Sequence, residues 1–239
     1  MGTDYQSKEI AEKYSEYVVA EESSLKPVIL RLIKDVQDKK VLDLGCGDGR
    51  YSYIMAQDGA MVTAIDASNF QLDIAKKIHN HPNIKYILED VSKIKTLEVE
   101  SFDIILANLL LPDLDDIKKM GLIFKTANSL MKKGSIFIVS GLHPLYLSPE
   151  QDNLDKPLDF RKENYYKEGS NYKAKAVTKK GSAVTFDETH YSLTYLSEQL
   201  EQSGLYIKRI IESKQVAEKR MFLPKYIVLV CQKFSSLNG

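Results

Sequence analysis

Apolar residues follow two different spacings through the middle of the chain. Continuous apolar runs, such as those at 41–44 and 61–65, have the length typical of buried strands. Between the runs, apolar residues recur every three or four positions, which is the spacing of one helix face. The pattern predicts strands at 41–44, 61–65, 84–88, 102–108 and 135–140, and helices at 51–57, 71–78 and 117–131.

The order of these elements predicts the fold class. Strands and helices that alternate over residues 41–140 are typical of a parallel sheet with helices on both faces. Two later apolar runs, 205–211 and 225–231, supply two further strands, and the short linker between them favours an antiparallel pair. We therefore predict an α/β fold with a doubly wound, mostly parallel sheet of seven strands and an antiparallel last strand.

Two helices are predicted before the first strand. Apolar and aromatic residues at helical spacing indicate one helix near Tyr14, and the second covers 25–36 with Ser24 as its N-cap. The length of 239 residues fits one large domain. Residues 1–38 are interpreted as a helical cap on this single domain, 1–239.

A long segment separates the fifth strand from the helix expected at 193–203. About 50 residues are too many for an ordinary connection. Its last part predicts a hairpin, with strands at 172–177 and 182–186 on either side of a Lys-Lys-Gly turn. The segment 142–190 is interpreted as a lid inserted over a substrate pocket.

The charges of the chain balance, with 33 basic and 33 acidic residues. The composition therefore gives no general attraction to nucleic acid or to an anionic membrane. Residues 161–180 differ, because they hold seven Lys or Arg against two Glu, with Tyr165, Tyr166 and Tyr172 between them. Such a strip can bind RNA by stacking and charge, and it is also typical of a solvated hairpin.

The location of the protein is predicted from what the sequence does not contain. Its first residues lack the regions of a signal peptide, and the apolar run 104–111 is too short to span a bilayer. Two cysteines, Cys46 and Cys231, suit a reducing compartment. His79 and His81 have no further ligand at metal-binding spacing, so no metal is expected. We expect a soluble, cytoplasmic protein.

A glycine-rich loop, Asp43-x-Gly45-x-Gly47-x-Gly49, joins the first strand to the next helix. Glycines let the backbone turn sharply and approach a ligand closely. A dinucleotide site would require its third glycine where Arg50 stands. The loop instead resembles the first motif of the class I S-adenosylmethionine-dependent methyltransferases of small-molecule type, whose sheet is Rossmann-like.

Asp66 supports the same resemblance from another part of the chain. It ends the second strand about 20 residues after the loop, where a ribose diol requires an acceptor. The alternative is that Asp66 caps the following helix, but Ser68 is the better candidate for that N-cap. The resemblance implies S-adenosyl-L-methionine as cofactor, bound by Tyr5, Tyr14, Asp43, Gly45, Cys46, Gly47, Asp66, Ala67, Gln71, Asp90, Val91 and Asn108.

The resemblance also implies a role for several of these residues. Asp43 is expected near the methionine amino group, and Asp66 at the ribose hydroxyls. Asp90 and the amide that follows it are expected at the adenine. Tyr5 and Tyr14 would lie on helices that fold over the cofactor, although packing of the core explains both tyrosines equally well.

The end of the fourth strand bears on the reaction. Ligands of doubly wound sheets lie beyond the carboxyl ends of the strands, so Asn108 is expected to face the reactive end of the cofactor. Amino methyltransferases of the resembled class carry an Asn/Asp-Pro-Pro-aromatic tetrad here, whereas residues 108–111 read Asn-Leu-Leu-Leu. This difference puts amino-group chemistry in doubt and suits an apolar pocket wall.

Three functions stay open at this point. The first, which we favour, is methyl transfer to a small-molecule acceptor by a monomer or homodimer with no membrane partner. The second is methylation of RNA, such as tRNA, or of protein through the basic strip, and the third is a non-catalytic cofactor-binding subunit. His190 and His143 are candidate general bases because imidazole titrates near neutral pH. Either histidine can instead be a hydrogen-bonding strut.

Overall fold

The structure, a computed structural model, describes most of the chain. It covers residues 7–9, 24–114, 116–145, 165–177, 183–213, 216–217, 220–221 and 224–234. The helix predicted near Tyr14 lies outside these residues, as does a large part of the segment 142–190.

The described strands and helices alternate through residues 40–142 as the sequence predicts, except that residues 89–101, between the third and fourth strands, contain no helix. The strands are β1 (Lys40–Leu44), β2 (Met61–Asp66), β3 (Ile84–Leu88), β4 (Phe102–Ala107), β5 (Met131–Leu142), β6 (Ser170–Val177), β7 (Ala183–His190), β8 (Leu205–Glu212), β9 (Val216–Ala217), β10 (Arg220–Met221) and β11 (Tyr226–Lys233). The helices are α1 (Lys26–Leu32), α2 (Arg50–Gln57), α3 (Asn69–Ile78), α4 (Ile117–Leu130) and α5 (Leu193–Gln202). Within the described ranges, none of these helices has the length and apolar character needed to cross a bilayer.

Seven of the described strands form one sheet in the order β3-β2-β1-β4-β5-β11-β8. The pairs among β1 to β5 are parallel, and β11 runs antiparallel to both β5 and β8. The predicted sheet, with its antiparallel last strand, is confirmed. Chain order reverses between β1 and β4, and ligands of such sheets bind outside the carboxyl ends of the strands at this point.

Successive residues of β4 show how helices cover both faces of the sheet. Ile104 and Leu106 are buried with α1 and α2, whereas Ile105 and Ala107 are buried with α4 and α5. Side chains alternate between the faces of a strand, so a strand between two helical layers must be apolar on both sides. This explains why β4 reads as a nearly continuous apolar run.

The first described helix has other boundaries than its sequence predicts. The residue before α1 is Leu25, which makes no side-chain cap, so the prediction of Ser24 as N-cap is wrong. The helix ends at Leu32, although Val36 remains fully buried. The apolar periodicity up to Val36 therefore reports burial of the chain beyond the helix end.

The fifth strand begins earlier than predicted. β5 starts at Met131, so the Lys-Lys-Gly turn predicted at 132–134 lies inside the strand. Gly134 has a φ of +81°, and the pairing with β4 shifts register near this point. The glycine thus allows an irregularity within the strand instead of ending it.

Strands β6 and β7 form an antiparallel hairpin separate from the main sheet. The predicted hairpin is confirmed, and its pairing extends beyond the predicted residues. Thr189 Oγ1 donates a hydrogen bond of 2.6 Å to the carbonyl of Leu114, after the exit of β4. Glu168, just before β6, accepts hydrogen bonds from the hydroxyl and the amide of Ser192 at the start of α5. These contacts attach the hairpin beside the carboxyl edge of the sheet.

Candidate active site

The carboxyl ends of four neighbouring strands bring together polar side chains that are far apart in the sequence. Asp43 is the second-last residue of β1, and Asp66 ends β2. Asp90 follows β3, and Asn108 follows β4. Because β1 pairs with both β2 and β4, these residues share the edge at which chain order reverses.

The glycine loop leaves one part of its backbone open. Gly45, Gly47 and Gly49 have φ of +69°, +54° and +77°, in the left-handed region that favours glycine. A Cβ on Gly45 would lie 2.8 Å from the Leu110 side chain, so the loop packs tightly there. On Gly47, a Cβ would have Gln71 Oε1, at 3.9 Å, as its nearest described neighbour. A ligand can therefore approach the backbone closely at Gly47.

Arg50 is turned toward its own loop. Its guanidinium makes a forked ion pair with Asp48, with Nε–Oδ1 at 3.0 Å and Nη2–Oδ2 at 2.5 Å. Both side chains are largely buried. A dinucleotide pyrophosphate at this position would have to compete with Asp48 for the guanidinium. The pairing therefore supports the distinction drawn from the missing third glycine.

Asp43 is a buried carboxyl group at the base of the loop. Its side chain accepts a hydrogen bond of 2.6 Å from Ser52 Oγ in α2. Burial raises the pKa of Asp43 to about 7, against the lowering effect of the Ser52 hydrogen bond and with smaller contributions from the charges of Asp66 and Asp48. A cation beside Asp43 would restore its ionised form. The group therefore has the properties of a receptor for a positive ligand charge.

Asp66 connects the second strand to the glycine loop. Its Oδ2 accepts a hydrogen bond of 2.9 Å from the Gly47 amide, and its Oδ1 accepts one of 2.8 Å from the Ser68 amide. Burial raises the pKa of Asp66 above its ordinary value. Ser68 Oγ in turn accepts from the Gln71 amide and caps α3, as the sequence predicts. Each carboxylate oxygen has a second lone pair, so Asp66 can still accept from a ligand hydroxyl.

Asp90 lies at the outer side of the same edge. Its Oδ1 accepts from the amide and the hydroxyl of Ser92, at 2.9 and 2.7 Å. Burial alone would raise the pKa of Asp90, but these hydrogen bonds and Lys93 hold it below the usual value. Val91 is buried in the core. Asp90 is therefore an ionised acceptor at the position expected for an adenine amino group.

The other predicted cofactor residues surround the loop. Burial raises the pKa of the Cys46 thiol well above its usual value, which favours the protonated, weakly nucleophilic form. Ala67 is exposed beside Asp66, and Gln71 is buried in α3. Tyr5 and Tyr14 lie outside the described residues.

His143 follows β5 and has defined partners at both ring nitrogens. Nδ1 accepts from the Leu145 amide at 3.2 Å, so Nε2 carries the proton and donates to Glu212 Oε1 at 3.0 Å. Burial lowers the pKa of His143, and the nearby Glu212 carboxylate opposes this effect. To act as a base, His143 would have to release the Leu145 amide.

His190 ends β7 and is 2% exposed. Its Nε2 lies 2.8 Å from the Tyr165 carbonyl, an acceptor, so Nε2 carries the proton. Only Nδ1 could then accept a proton from a substrate. Burial lowers the pKa of His190, which favours the neutral imidazole that a base requires. With Nε2 protonated and the ring neutral, His190 stays a candidate base through Nδ1.

Both histidines border one pocket beside the acid-lined edge. Its walls are mostly apolar and come from β5, β11, the hairpin, α5 and the turn after β4. The lining includes Leu111, Pro112, Val139, Ser140, His143, Tyr172, His190, Tyr191, Leu196, Ile227 and Leu229. Pockets with apolar walls and a few polar groups are typical of small-molecule sites.

Ser140 joins this pocket to the acid-lined edge. The side chain lines the pocket, and its hydroxyl donates a hydrogen bond of 2.8 Å to Asn108 Oδ1. Asn108 therefore lies at the boundary between the two regions.

The sheet edge that carries Asp43, Asp66 and Asp90, together with the glycine loop, is called the cofactor groove, and its residues fit S-adenosylmethionine. Its amino and sulfonium groups are cationic, which suits the buried Asp43 carboxyl with its raised pKa. Its ribose would find an acceptor in Asp66, which also holds the open backbone at Gly47. Among the described residues, no group of three or more His, Cys, Asp or Glu side chains is placed to hold a metal ion.

Comparison with known proteins agrees with this geometry. A family model described as a methyltransferase domain matches residues 35–215. The chain belongs to this methyltransferase family. The membership confirms the resemblance stated from the glycine loop, and with it the enzyme class, which uses S-adenosylmethionine.

Two relatives illustrate how far the similarity extends. An S-adenosylmethionine-dependent methyltransferase from Clostridium acetobutylicum has 18% identity and a TM-score of 0.66, with 94% of this chain and 98% of that chain covered, which shows the shared fold. A ubiquinone biosynthesis O-methyltransferase from Coxiella burnetii is 35% identical over 127 residues, or 50% of this chain and 51% of the relative. The chain thus spans about half the length of the curated relatives it matches.

Two serines of the site are not apparent from the sequence. Ser52 donates to Asp43 from the first turns of α2, and Ser140 donates to Asn108 from β5. A polar residue at a fully buried position of an apolar strand or helix face is the signal that could have indicated both. That signal requires knowing which positions are buried.

Proposed function

We propose that this methyltransferase transfers the methyl group of S-adenosylmethionine to a hydroxyl oxygen of a small, largely apolar molecule. One observation carries the proposal: Ser140 lies between two adjoining regions, and each region fits one of the two reactants. On one side lies the groove of the glycine loop with Asp43 and Asp66. On the other side lies the apolar pocket with His143 and His190.

The acidic groups of the groove would hold the cofactor. Asp43 would pair with the amino group, Asp66 would accept hydrogen bonds from the ribose hydroxyls, and Asp90 would accept from the adenine amino group. Bound S-adenosylmethionine supplies a methyl group already activated on a sulfonium. The protein's remaining task is to align an acceptor atom, and good alignment can lower a barrier by roughly 7 kcal/mol or more.

The pocket and the relatives support an oxygen acceptor on an apolar body. Pro112, Val139 and Leu229 offer apolar contacts, and the two histidines offer polar ones. The relatives with 35% identity are named for O-methylation in ubiquinone biosynthesis. A hydroxylated aromatic or similarly apolar molecule is therefore the first acceptor class to test.

His190 would take the acceptor's hydroxyl proton. Its Nε2–H is held by the Tyr165 carbonyl, which directs the ring and leaves the proton to be accepted at Nδ1. Its lowered pKa keeps the ring neutral at pH 7. His143, held between Leu145 and Glu212, would act as a wall and a hydrogen-bonding strut.

Residues 142–190 would form the substrate lid, and residues 1–38 a helical cap, within a single domain of residues 1–239. Tyr172 and His190 of the hairpin line the pocket, which supports the first assignment. Val28 and Ile29 of α1 pack into the core on the α2 side of the sheet, which supports the second.

The described tyrosines of the basic strip do not favour an RNA-binding surface. Tyr172 is 3% exposed, and its hydroxyl donates to Glu188. Tyr165 packs its ring against His190, with ring centres 5.6 Å apart. Tyr166 is 78% exposed. Two of the three rings are therefore committed to contacts inside the protein, whereas base stacking requires exposed rings.

Transfer of labelled methyl groups tests the proposal. The protein is incubated with radiolabelled S-adenosylmethionine and either cell extract or a panel of hydroxylated apolar molecules. We expect label in the fraction extracted into organic solvent, and far less label with an Asp66→Ala variant at the same cofactor concentration. Label in tRNA or protein would favour the macromolecular alternative. No transfer despite cofactor binding would favour a non-catalytic subunit.

Substitution of His190 by alanine is expected to lower kcat by about 100-fold or more, within the range for loss of a general base. Affinity for S-adenosylhomocysteine should stay unchanged, because the ring lies in the pocket. In the wild type, turnover should fall as the pH drops through the pKa of His190. Burial lowers this pKa below the ordinary 6.5 of histidine.

The matched control is His143→Gln, which keeps a hydrogen-bonding side chain and should retain most of the turnover. Full turnover in both His190→Ala and His143→Ala would exclude acid–base catalysis by histidine.

A further inference from the structure

Leu109 has a backbone conformation that a leucine rarely adopts. Its φ is +54°, in the left-handed region, which is unfavourable for a residue with a Cβ. Of the other described non-glycine residues with positive φ, Asp38 and Glu100 lie in exposed turns. Leu109 instead directly follows Asn108, at the exit of β4. A strained residue persists only where its surroundings enforce it.

Ser140 supplies the contacts that enforce this conformation. The Leu109 amide donates a hydrogen bond of 3.0 Å to Ser140 Oγ. The same hydroxyl donates one of 2.8 Å to Asn108 Oδ1. Ser140 is 1% exposed, so water does not replace either contact. One side chain thus contacts both the strained peptide and the preceding amide side chain.

The strained turn determines where the next residues lie. Leu110 packs so closely on the glycine loop that a Cβ on Gly45 would lie 2.8 Å from it. Leu111 then forms part of the pocket wall. The path of residues 108–111 therefore sets the relation between the cofactor groove and the acceptor pocket.

We propose that Ser140 is a positioning residue for methyl transfer, which acts by holding Leu109 in its strained conformation. The inference rests on the proposed function. Without the hydroxyl, the Leu109 peptide can relax toward a right-handed or extended conformation. Asn108 then loses its hydrogen bond to this hydroxyl, and the pocket wall moves relative to the glycine loop. The carboxylates of Asp43 and Asp66 do not contact Ser140, so cofactor binding should be largely unaffected.

The experiment compares Ser140→Ala, Leu109→Asn and the double variant. Ser140→Ala should lower kcat by about 10- to 100-fold, because displacements of about 1 Å are enough for such losses. Its Kd for S-adenosylhomocysteine, measured by calorimetry, should change less than about threefold. Asparagine adopts the left-handed region more readily than leucine. Leu109→Asn in the Ser140→Ala background should therefore recover part of the lost kcat.

The control is Ser135→Ala, at a buried serine of the same strand whose hydroxyl donates to the Lys132 carbonyl, away from the site. It should lower thermal stability slightly and leave kcat unchanged. A Ser140→Ala variant with wild-type kcat, or with a loss that Leu109→Asn does not reduce, overturns the positioning role while the proposed function stands. A wild type that binds no S-adenosylhomocysteine and transfers no label overturns both.

Discussion

Replacement of Asp66 by alanine is expected to weaken binding of S-adenosylhomocysteine by about 100-fold, because ribose hydroxyls lose a charged acceptor whose hydrogen bonds are worth roughly 1.5–3 kcal/mol each. The substitution also removes hydrogen bonds within the protein, which weakens cofactor binding further. Asp66 also holds the amides of Gly47 and Ser68, so the loop that passes the cofactor is less well fixed without it. Isothermal titration calorimetry with S-adenosylhomocysteine measures the change directly.

Two further variants identify the cause of the loss. Asp73→Ala removes an exposed acid on α3 and should leave affinity unchanged. Asp66→Asn keeps an oxygen for the Gly47 amide but removes the charge, and should lose about tenfold, or 1.4 kcal/mol. Unchanged affinity in a folded Asp66→Ala variant would show that the ribose does not lie at this residue.

Asp43→Asn is expected to stabilise the cofactor-free protein and to weaken the cofactor complex. The folded-state pKa of Asp43 is raised from 3.8 to about 7, so the folded protein binds the proton more tightly than the unfolded chain does. Stability from this group is complete below pH 4 and is lost as the pH rises through 7. At pH 8 the buried charge then costs on the order of 2–4 kcal/mol, which asparagine avoids. The Tm at pH 8 should rise by roughly 5 °C.

The affinity for cofactor should show the opposite effect. A cationic ligand binds the ionised form of Asp43, so the wild-type Kd should fall as the pH rises from 5.5 to 7.5. As the pH drops below 7, the affinity should decrease by at most about tenfold per pH unit, because only one linked group is protonated. Asp43→Asn should bind weakly and show little of this pH dependence, which calorimetry at several pH values measures.

The control is Asp103→Asn at the other end of the sheet. Burial would raise the pKa of Asp103, but hydrogen bonds from Lys132 and the Lys40 amide hold it below its usual value. Loss of this charge should lower Tm at pH 8 instead of raising it. An Asp43→Asn variant that is less stable at pH 8, with a normal pH dependence of binding, would show that Asp43 is not the buried titrating group.

The sequence predicts the part of the site that lies on regular elements. The glycine spacing and Asp66 could be located because a strand, a tight turn and a helix follow one another within few residues. Ser68 was correctly expected to cap α3, since its hydroxyl accepts from the Gln71 amide. The assignments of Asp43, Asp66, Asp90 and Asn108 to particular cofactor groups stay predictions.

The remaining parts depend on contacts between distant segments. Ser140 and Leu109 are 31 residues apart in sequence, and the hydrogen bond that joins them forms only in the folded chain. Neither residue type suggests a left-handed conformation. Likewise, the acceptors that hold the Nε2 proton of His143 and of His190 are Glu212 and Tyr165, on elements that local patterns do not relate to these histidines.

A crystal structure with bound S-adenosylhomocysteine tests the proposed site most directly. We expect the ribose hydroxyls within hydrogen-bonding distance of Asp66, the amino group beside Asp43, and the sulfur directed toward Asn108 and the pocket of His190. A ligand bound elsewhere, or a groove filled by side chains of the protein at saturating ligand, would contradict the proposed site.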